Sequence, residues 1–330
     1  MADRDQGDRA ESELRTGVEP CFLYVLIYYV TGPHWHPMKI IEITYRYGGT
    51  DSTVRPLPAD AEAARTRLED GSRSISAMLE SLTDDTGTAQ RVIAVDSRDL
   101  GLGSDAPDAP GAPKQRPYAA VLGCSDARVP IELIFNEGPN DLFVVRVAGN
   151  GLGSEVLGSL KYAVDHLGGS LKIIVVLGHS GCGAVSAAVD AFLNPRTYLS
   201  FAAQHSLRSI LDRLLVVVNA AAMRMTAAFG ADVVRRPGYR TALIELAVVS
   251  NAALAAFTLQ QELGTADAQE IRAAYGVYLL EDRQIWAPRA GSSECEGLAY
   301  PPADFAGFSD FGDSVLRTER IARLLDGVAV

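Results

Sequence analysis

From residue 118 onward, short apolar runs alternate with helical stretches, and this alternation restricts the fold more than any other feature of the sequence. Residues 154–167 carry apolar side chains on one helical stripe and end at Gly168-Gly169. Buried strands joined by helices are typical of a parallel sheet with crossover connections. We therefore predict an α/β fold with a central, mostly parallel β-sheet flanked by helices. Strands are predicted at residues 118–123, 141–147, 171–178 and 273–280, and further helices at 183–192, 206–229 and 241–263.

Around this α/β body the sequence adds further regions. A polar, acidic start precedes an alternating strand at residues 38–47, and a helix at 60–82 follows, with Asp60 as N-cap and a break near Gly71. A loop rich in proline, alanine and glycine comes next. The predicted regions are a partly disordered N-terminal extension (1–57), a helical arm with the Pro-rich loop (58–113), the α/β domain (114–288) and a C-terminal tail (289–330) with a helix at 313–325.

Charge and cysteine content restrict the setting of the protein. Thirty basic against 41 acidic residues give a net charge of −11, which argues against nucleic acid as a partner. The longest uninterrupted apolar run, residues 21–30, is shorter than the ~20 residues of a membrane span, and the acidic residues before it are unlike a signal peptide. Four cysteines are too few for a disulfide scaffold. We expect a cytoplasmic protein without a membrane span, for which Met38 is an alternative start.

Two predicted strands end in residues that can bind a metal. The first runs into Cys124, and the third runs into His179 and Cys182. Carboxyl ends of parallel strands share one edge of an open sheet, where ligands bind. Two thiols and an imidazole suit zinc, and three protein ligands leave a fourth position open, as in catalytic zinc sites.

Each of these signals is weak when it is taken alone. A cysteine after an apolar strand is usually a small buried side chain, and a histidine at a strand end is more often a structural hydrogen-bonding residue. Their joint occurrence at two strand ends, each followed by a predicted helix start, favours the metal-site interpretation.

Four motifs resemble the β-class carbonic anhydrases: C-S-D-A-R-V-P, D-L-F-V-V-R-V-A-G-N, G-S-L-K-Y-A-V-D-H-L-G and V-V-L-G-H-S-G-C-G-A-V. The resemblance is dense over residues 115–189. It implies one zinc per chain on Cys124, His179 and Cys182, with Asp126 and Arg128 as a catalytic carboxylate–guanidinium pair. It also implies a homodimer or a dimer of dimers, in which two pocket residues serve the zinc of the opposite subunit. The implied substrate-pocket residues are Gln115, Phe143, Tyr162 and Gly183, of which Gln115 and Tyr162 act across the interface.

The implied activity is the reversible hydration of carbon dioxide to bicarbonate and a proton, by hydroxide on zinc. Two alternatives stay open: hydrolysis of carbon disulfide or carbonyl sulfide on the same fold, and a non-catalytic zinc or thiol redox-sensing protein. The Asp126 and Arg128 pair argues against a structural site, because such a site closes its fourth position with Cys or His. Val121 stands where forms with an aspartate-closed zinc usually have Trp, which favours the open form. Glu137 and Ala148-Gly149 depart from the family pattern.

Overall fold

The structure is a computed structural model of the chain, and it describes residues 24–26, 40–48, 55–84, 88–96, 99, 113–202, 205–263, 271–288 and 297–328. The segment predicted to be disordered, the alternative start at Met38 and most of the Pro-rich loop lie outside these residues. The strands are β1 (Tyr24–Leu26), β2 (Ile40–Gly48), β3 (Thr88–Asp96), β4 (Ala119–Gly123), β5 (Leu142–Arg146), β6 (Ile173–His179), β7 (Arg272–Tyr278) and β8 (Ile285–Trp286). The helices are α1 (Ala61–Asp84), α2 (Ile131–Ile134), α3 (Ser154–Leu167), α4 (Gly183–Leu193), α5 (Pro195–Ala202), α6 (His205–Phe229), α7 (Tyr239–Leu263), α8 (Phe305–Leu316) and α9 (Glu319–Leu325).

The main sheet has the strand order β5-β4-β6-β7-β8. Its first four strands run parallel, and only the short edge strand β8 is antiparallel. Every residue of β4 and of β6 is buried, which is why both read as unbroken apolar runs. One core cluster covers the face toward α3, α4, α6 and α7, and a second covers the face toward α1 and α2. The predicted fold class is confirmed.

A separate three-stranded sheet with the order β1-β2-β3 contains the predicted strand at 38–47, observed as β2. β3 pairs with β2 in parallel and was missed in the sequence. Its buried Ile93 and Val95 pack with Ile43 of β2 in a small core of their own. Parallel strands need a long crossover, here including α1, so the pairing has no local signal.

Two helix predictions were wrong in detail. α1 continues through Gly71 without a break. A Cβ atom at Gly71 would lie 1.9 Å from the carbonyl oxygen of Phe135, so glycine permits close packing there. The single tail helix predicted at 313–325 is two helices, α8 and α9. They are separated at Thr318, whose side chain caps α9 by accepting a hydrogen bond from the Ile321 N–H.

A buried carboxylate joins the arm to the main sheet and explains one departure from the family pattern. Glu137 has no exposed side-chain surface and accepts hydrogen bonds from Arg67 at 2.5 Å and Arg55 at 2.8 Å. The Tyr118 hydroxyl donates a third at 2.8 Å. Arg67 also donates to Asp141 at 2.9 Å, so Glu137 supplies the second negative charge beside two guanidinium groups, which glutamine in this place would not.

α7 is the central helix of the larger core. Within the described ranges it alone is long and apolar enough to cross a membrane by length and composition, and 72% of its apolar window is buried inside the protein. The core that it forms with α6 and β7 accounts for its apolar composition on all sides.

Candidate metal centre

The ends of β4 and β6 bring two thiols and an imidazole together. Gly123, the last residue of β4, pairs in register with Leu177 of β6, so Cys124 lies beside the end of β6 that carries His179. Cys182 immediately precedes α4. All three side chains are buried, and their ligand atoms lie within 4.8 Å of one another. The two Sγ atoms are 3.9 Å apart. The predicted convergence at one sheet edge is therefore observed.

One ring nitrogen of His179 faces the two cysteine side chains. Its Nδ1 lies 3.0 Å from the Ser180 carbonyl oxygen, which can only accept. Nδ1 therefore carries the proton, and the Nε2 lone pair is free. Nε2 is fully buried and has no hydrogen-bond partner among the residues that the structure describes. A buried acceptor without a partner is costly, and a metal ion would satisfy it. The residues present thus fit zinc, which favours this donor set.

The two thiols differ in their electrostatic surroundings. A hydrogen bond from the Cys182 thiol is the largest effect that lowers the pKa of Cys124, and the backbone N–H of Gly149 contributes another. That N–H lies 3.3 Å from Cys124 Sγ. The pKa of Cys182 is raised, first by its hydrogen bond to Cys124 and then by burial. Cys124 is therefore the first thiol to become a thiolate, and a cation between the sulfur atoms would stabilise the second.

Asp126 and Arg128 form the predicted pair at the rim of the cluster. Arg128 Nε donates to Asp126 Oδ1 at 3.0 Å, and its Nη2 donates to Oδ2 at 2.7 Å. This two-bond contact is the largest cause that holds the pKa of Asp126 well below its usual range. Asp126 Oδ2 is also 3.7 Å from His179 Nε2. The carboxylate is therefore ionised, oriented and adjacent to the position that a metal would take.

Arg146 is a site residue that sequence reasoning did not single out. It ends β5 and pairs in register with Gly123. Its Nε donates to the Cys124 carbonyl at 3.0 Å, and its Nη2 donates to the Asp126 carbonyl at 2.5 Å. Arg146 thus fixes the backbone that carries the Cys124 thiol and the Asp126 carboxylate. Its place at the end of a predicted strand was the only available signal.

Asn251 of α7 is a second residue that was missed. Its buried side chain donates to the Gly149 carbonyl at 3.0 Å, while the N–H of Gly149 contacts Cys124 Sγ. Gly149 has φ 67°, a left-handed conformation that favours glycine. This backbone conformation explains why glycine stands at position 149, in the Ala148-Gly149 stretch that departs from the family pattern. No local sequence signal links Asn251 to a loop 102 residues away.

The four predicted pocket residues are not all gathered around the cluster within one chain. Phe143 packs against the core cluster that includes Cys124 and Cys182. Gly183 directly follows Cys182 and is exposed at the start of α4. Gln115 is exposed before β4, and Tyr162 is 50% exposed on α3. The exposure of these last two leaves them available for contact with a second subunit.

The chain is similar to known proteins over part of its length. The carbonic anhydrase family model matches residues 119–253. Over 77 residues, the chain is 53% identical to carbonic anhydrase 2 of Mycobacterium tuberculosis and 52% identical to a carbonic anhydrase of Mycolicibacterium smegmatis. Each match covers 23% of this chain and 36% of the relative, so the chain spans about a third of the length of these curated relatives.

Solved structures of β-carbonic anhydrases are also similar. One, from a study of two tetrameric enzymes of Sordaria macrospora, is 22% identical with a TM-score of 0.40, over 52% of this chain and 80% of that chain. The Coccomyxa enzyme in complex with acetazolamide is 24% identical with a TM-score of 0.37, over 52% and 72%. Cys124, His179 and Cys182 all fall inside residues 119–253, the range that the carbonic anhydrase family model matches, and the motifs that resemble this family lie in or next to that range.

Proposed function

We propose that this protein is a zinc-dependent carbonic anhydrase, a lyase that interconverts carbon dioxide with bicarbonate and a proton. The observation that carries this proposal is the buried cluster of Cys124, His179 and Cys182, with a free imidazole nitrogen beside the carboxylate of Asp126. The curated relatives named above are carbonic anhydrases, which supports carbon dioxide over carbon disulfide or carbonyl sulfide as substrate.

One zinc ion per chain would be held by the two thiolates and by His179 Nε2. Zinc supplies a Lewis acid that lowers the pKa of water, to about 7 in carbonic anhydrases with three histidine ligands, so that hydroxide is available at neutral pH. The Ser180 carbonyl holds the imidazole in the tautomer that presents Nε2.

Asp126 orients the nucleophile. It stays ionised beside Arg128 and therefore can only accept hydrogen bonds. A water or hydroxide next to His179 Nε2 would donate to Asp126 Oδ2 and turn its lone pair toward the substrate. Arg128 and the Arg146 contacts keep this carboxylate in place. The Asp126 and Arg128 pair thus fixes the direction from which the nucleophile attacks carbon dioxide, a direction that a metal ion without such a neighbour would leave variable.

The substrate pocket is proposed to be completed by a partner subunit. Phe143 packs against the core cluster that contains Cys124 and Cys182, and we propose that its apolar ring lines the space taken by a linear apolar molecule such as carbon dioxide. Gln115 and Tyr162 are exposed in the single chain, and we propose that they reach the site of a second copy in a homodimer or a dimer of dimers. Each site would then require both subunits.

We propose that the protein is located in the cytoplasm, a reducing compartment, because two of the residues that would hold the metal are thiols. Both thiols are free and buried, and their Sγ atoms are 3.9 Å apart. Oxidation of either would remove a metal ligand. A compartment that keeps thiols reduced therefore suits this site.

Stopped-flow hydration of carbon dioxide, with protein of measured zinc content, tests the function. We expect activity in proportion to zinc, and loss of both in a His179→Ala variant. Carbon disulfide and carbonyl sulfide are offered to the same preparation. Fully zinc-loaded protein that hydrates no carbon dioxide would contradict the proposal, and turnover of a sulfur substrate would assign the alternative activity. Zinc without any turnover would favour the structural or redox-sensing alternative.

A further inference from the structure

An ion-pair network joins the C-terminal tail to the neighbourhood of His179. Arg320 of α9 donates through Nε to Glu245 of α7 at 2.7 Å and through Nη2 to Glu281, which follows β7. Only 11% of the Arg320 side chain and 5% of that of Glu245 are exposed. The guanidinium carbon of Arg320 also lies 5.7 Å from the centroid of the Trp286 ring. A buried arginine between two carboxylates is therefore a specific anchor for the tail.

The network continues from Glu281 to the residue after the metal ligand. Ser180 Oγ donates to the second carboxylate oxygen of Glu281 at 2.7 Å and accepts the Leu280 N–H at 2.9 Å. The Ser180 N–H donates to the Tyr278 carbonyl at 3.0 Å. Its own carbonyl accepts from His179 Nδ1. Ser180 is thus held on both its backbone and its side chain, and it sets the tautomer and the direction of the imidazole.

We propose that Arg320 is a positioning residue for His179, acting through Glu281 and Ser180. Arg320 fixes one oxygen of Glu281, the other oxygen fixes Ser180, and the Ser180 carbonyl fixes the imidazole. Arg320 and Glu281 both lie outside residues 119–253, the range matched by the family model. The tail is thereby part of the metal site. This inference rests on the proposed zinc site.

The metal itself provides the readout, because groups that orient a ligand usually change metal affinity or activity 10- to 100-fold. Zinc release from the full-length loaded protein to an excess of a chromogenic chelator is followed for the wild type, Arg320→Leu and Glu281→Ala. We expect zinc release about tenfold faster in both variants. Glu281→Ala leaves the Arg320–Glu245 pair intact, so it decides the question if Arg320→Leu fails to fold.

The matched control is Arg236→Leu. Arg236 pairs with Asp326, just after α9, and so also ties down the tail, but it does not belong to the chain that leads to Ser180. We expect its zinc release to stay within twofold of wild type. Cobalt-substituted protein gives a second readout: the absorption bands should shift in Arg320→Leu and Glu281→Ala, recover in Arg320→Lys, and be unchanged in Arg236→Leu.

A double-mutant comparison tests whether Arg320 acts on His179 through Ser180. In a Ser180→Ala background, the Arg320→Leu substitution should change zinc release less than twofold, because the connection is already cut. Wild-type release in both network variants would overturn the inference, as would equal acceleration in Arg236→Leu or a full additional effect in the Ser180→Ala background. Wild-type protein that binds no zinc would instead refute the proposed function.

Discussion

Replacing Asp126 with Asn should lower the rate of carbon dioxide hydration without removing the metal. Asn has the same shape and keeps one acceptor oxygen, but it loses the charge that makes Asp126 an acceptor only. The Asp126→Asn substitution changes none of the three side chains that could hold the metal. In the proposed role Asp126 orients the nucleophile and does not hold the metal, and we therefore expect zinc content equal to that of wild type and a rate lower by about 10- to 100-fold.

Arg128→Leu gives a smaller effect whose size follows from the geometry. The substitution removes the bonds at 3.0 Å and 2.7 Å but leaves the Arg128 backbone N–H, which donates to Asp126 Oδ1 at 2.9 Å. The Arg128 side chain is 63% exposed, so the pair contributes only about 1 kcal/mol. That free energy corresponds to about a fivefold change in the equilibrium constant between held and released Asp126. We expect the rate to fall by at most about fivefold.

Stopped-flow hydration with metal analysis measures both variants. Arg240→Leu is the matched control, since Arg240 makes an equivalent two-bond contact with Asp190 at 2.6 Å and 2.7 Å and is 50% exposed. It should hydrate carbon dioxide at the wild-type rate. Because Arg128 acts through Asp126, Arg128→Leu should have no further effect in the Asp126→Asn background. A wild-type rate in Asp126→Asn, or an undiminished effect of Arg128→Leu in that background, would refute the reasoning.

Three further outcomes are expected. Alanine in place of any metal ligand should abolish stoichiometric zinc, as measured by atomic absorption, and lower the melting temperature, because metal binding contributes to folding free energy. Gly71→Ala should destabilise the protein by about 1–3 kcal/mol in urea unfolding, since its Cβ would meet Phe135. Gly158→Ala lies in a helix with no atom within 4 Å of the new Cβ, so it should instead stabilise the protein by about 0.5–1 kcal/mol. Equal losses of unfolding free energy in the two variants would contradict this pair of predictions. Arg240 lowers the pKa of Asp190, so this pair stabilises the fold above the usual aspartate range and loses its effect as the pH falls. The melting-temperature deficit of Asp190→Asn should therefore be largest at neutral pH and shrink below about pH 4, whereas a constant deficit would contradict this assignment.

The elements that could be predicted are those with a complete local pattern. α3 has the predicted bounds, Ser154–Leu167, because its apolar stripe and terminal glycines lie within one short stretch. β3 and the division between α8 and α9 had no such pattern. Gly71 shows the same limit, since a glycine inside a helix indicates a break unless another chain segment approaches closely.

The amino-acid sequence alone specifies the chemistry of the site: which donors are present, that each follows a buried strand, and that a carboxylate and a guanidinium stand two residues apart. Which side chains support those donors depends on the tertiary structure. Arg146 lies 22 residues from Cys124, and Asn251 lies 102 residues from Gly149. Arg320, in the C-terminal tail, lies still further along the chain from His179. The physical reason is that strand ends are set by local burial and chain direction, whereas contacts between distant segments depend on how the whole core packs.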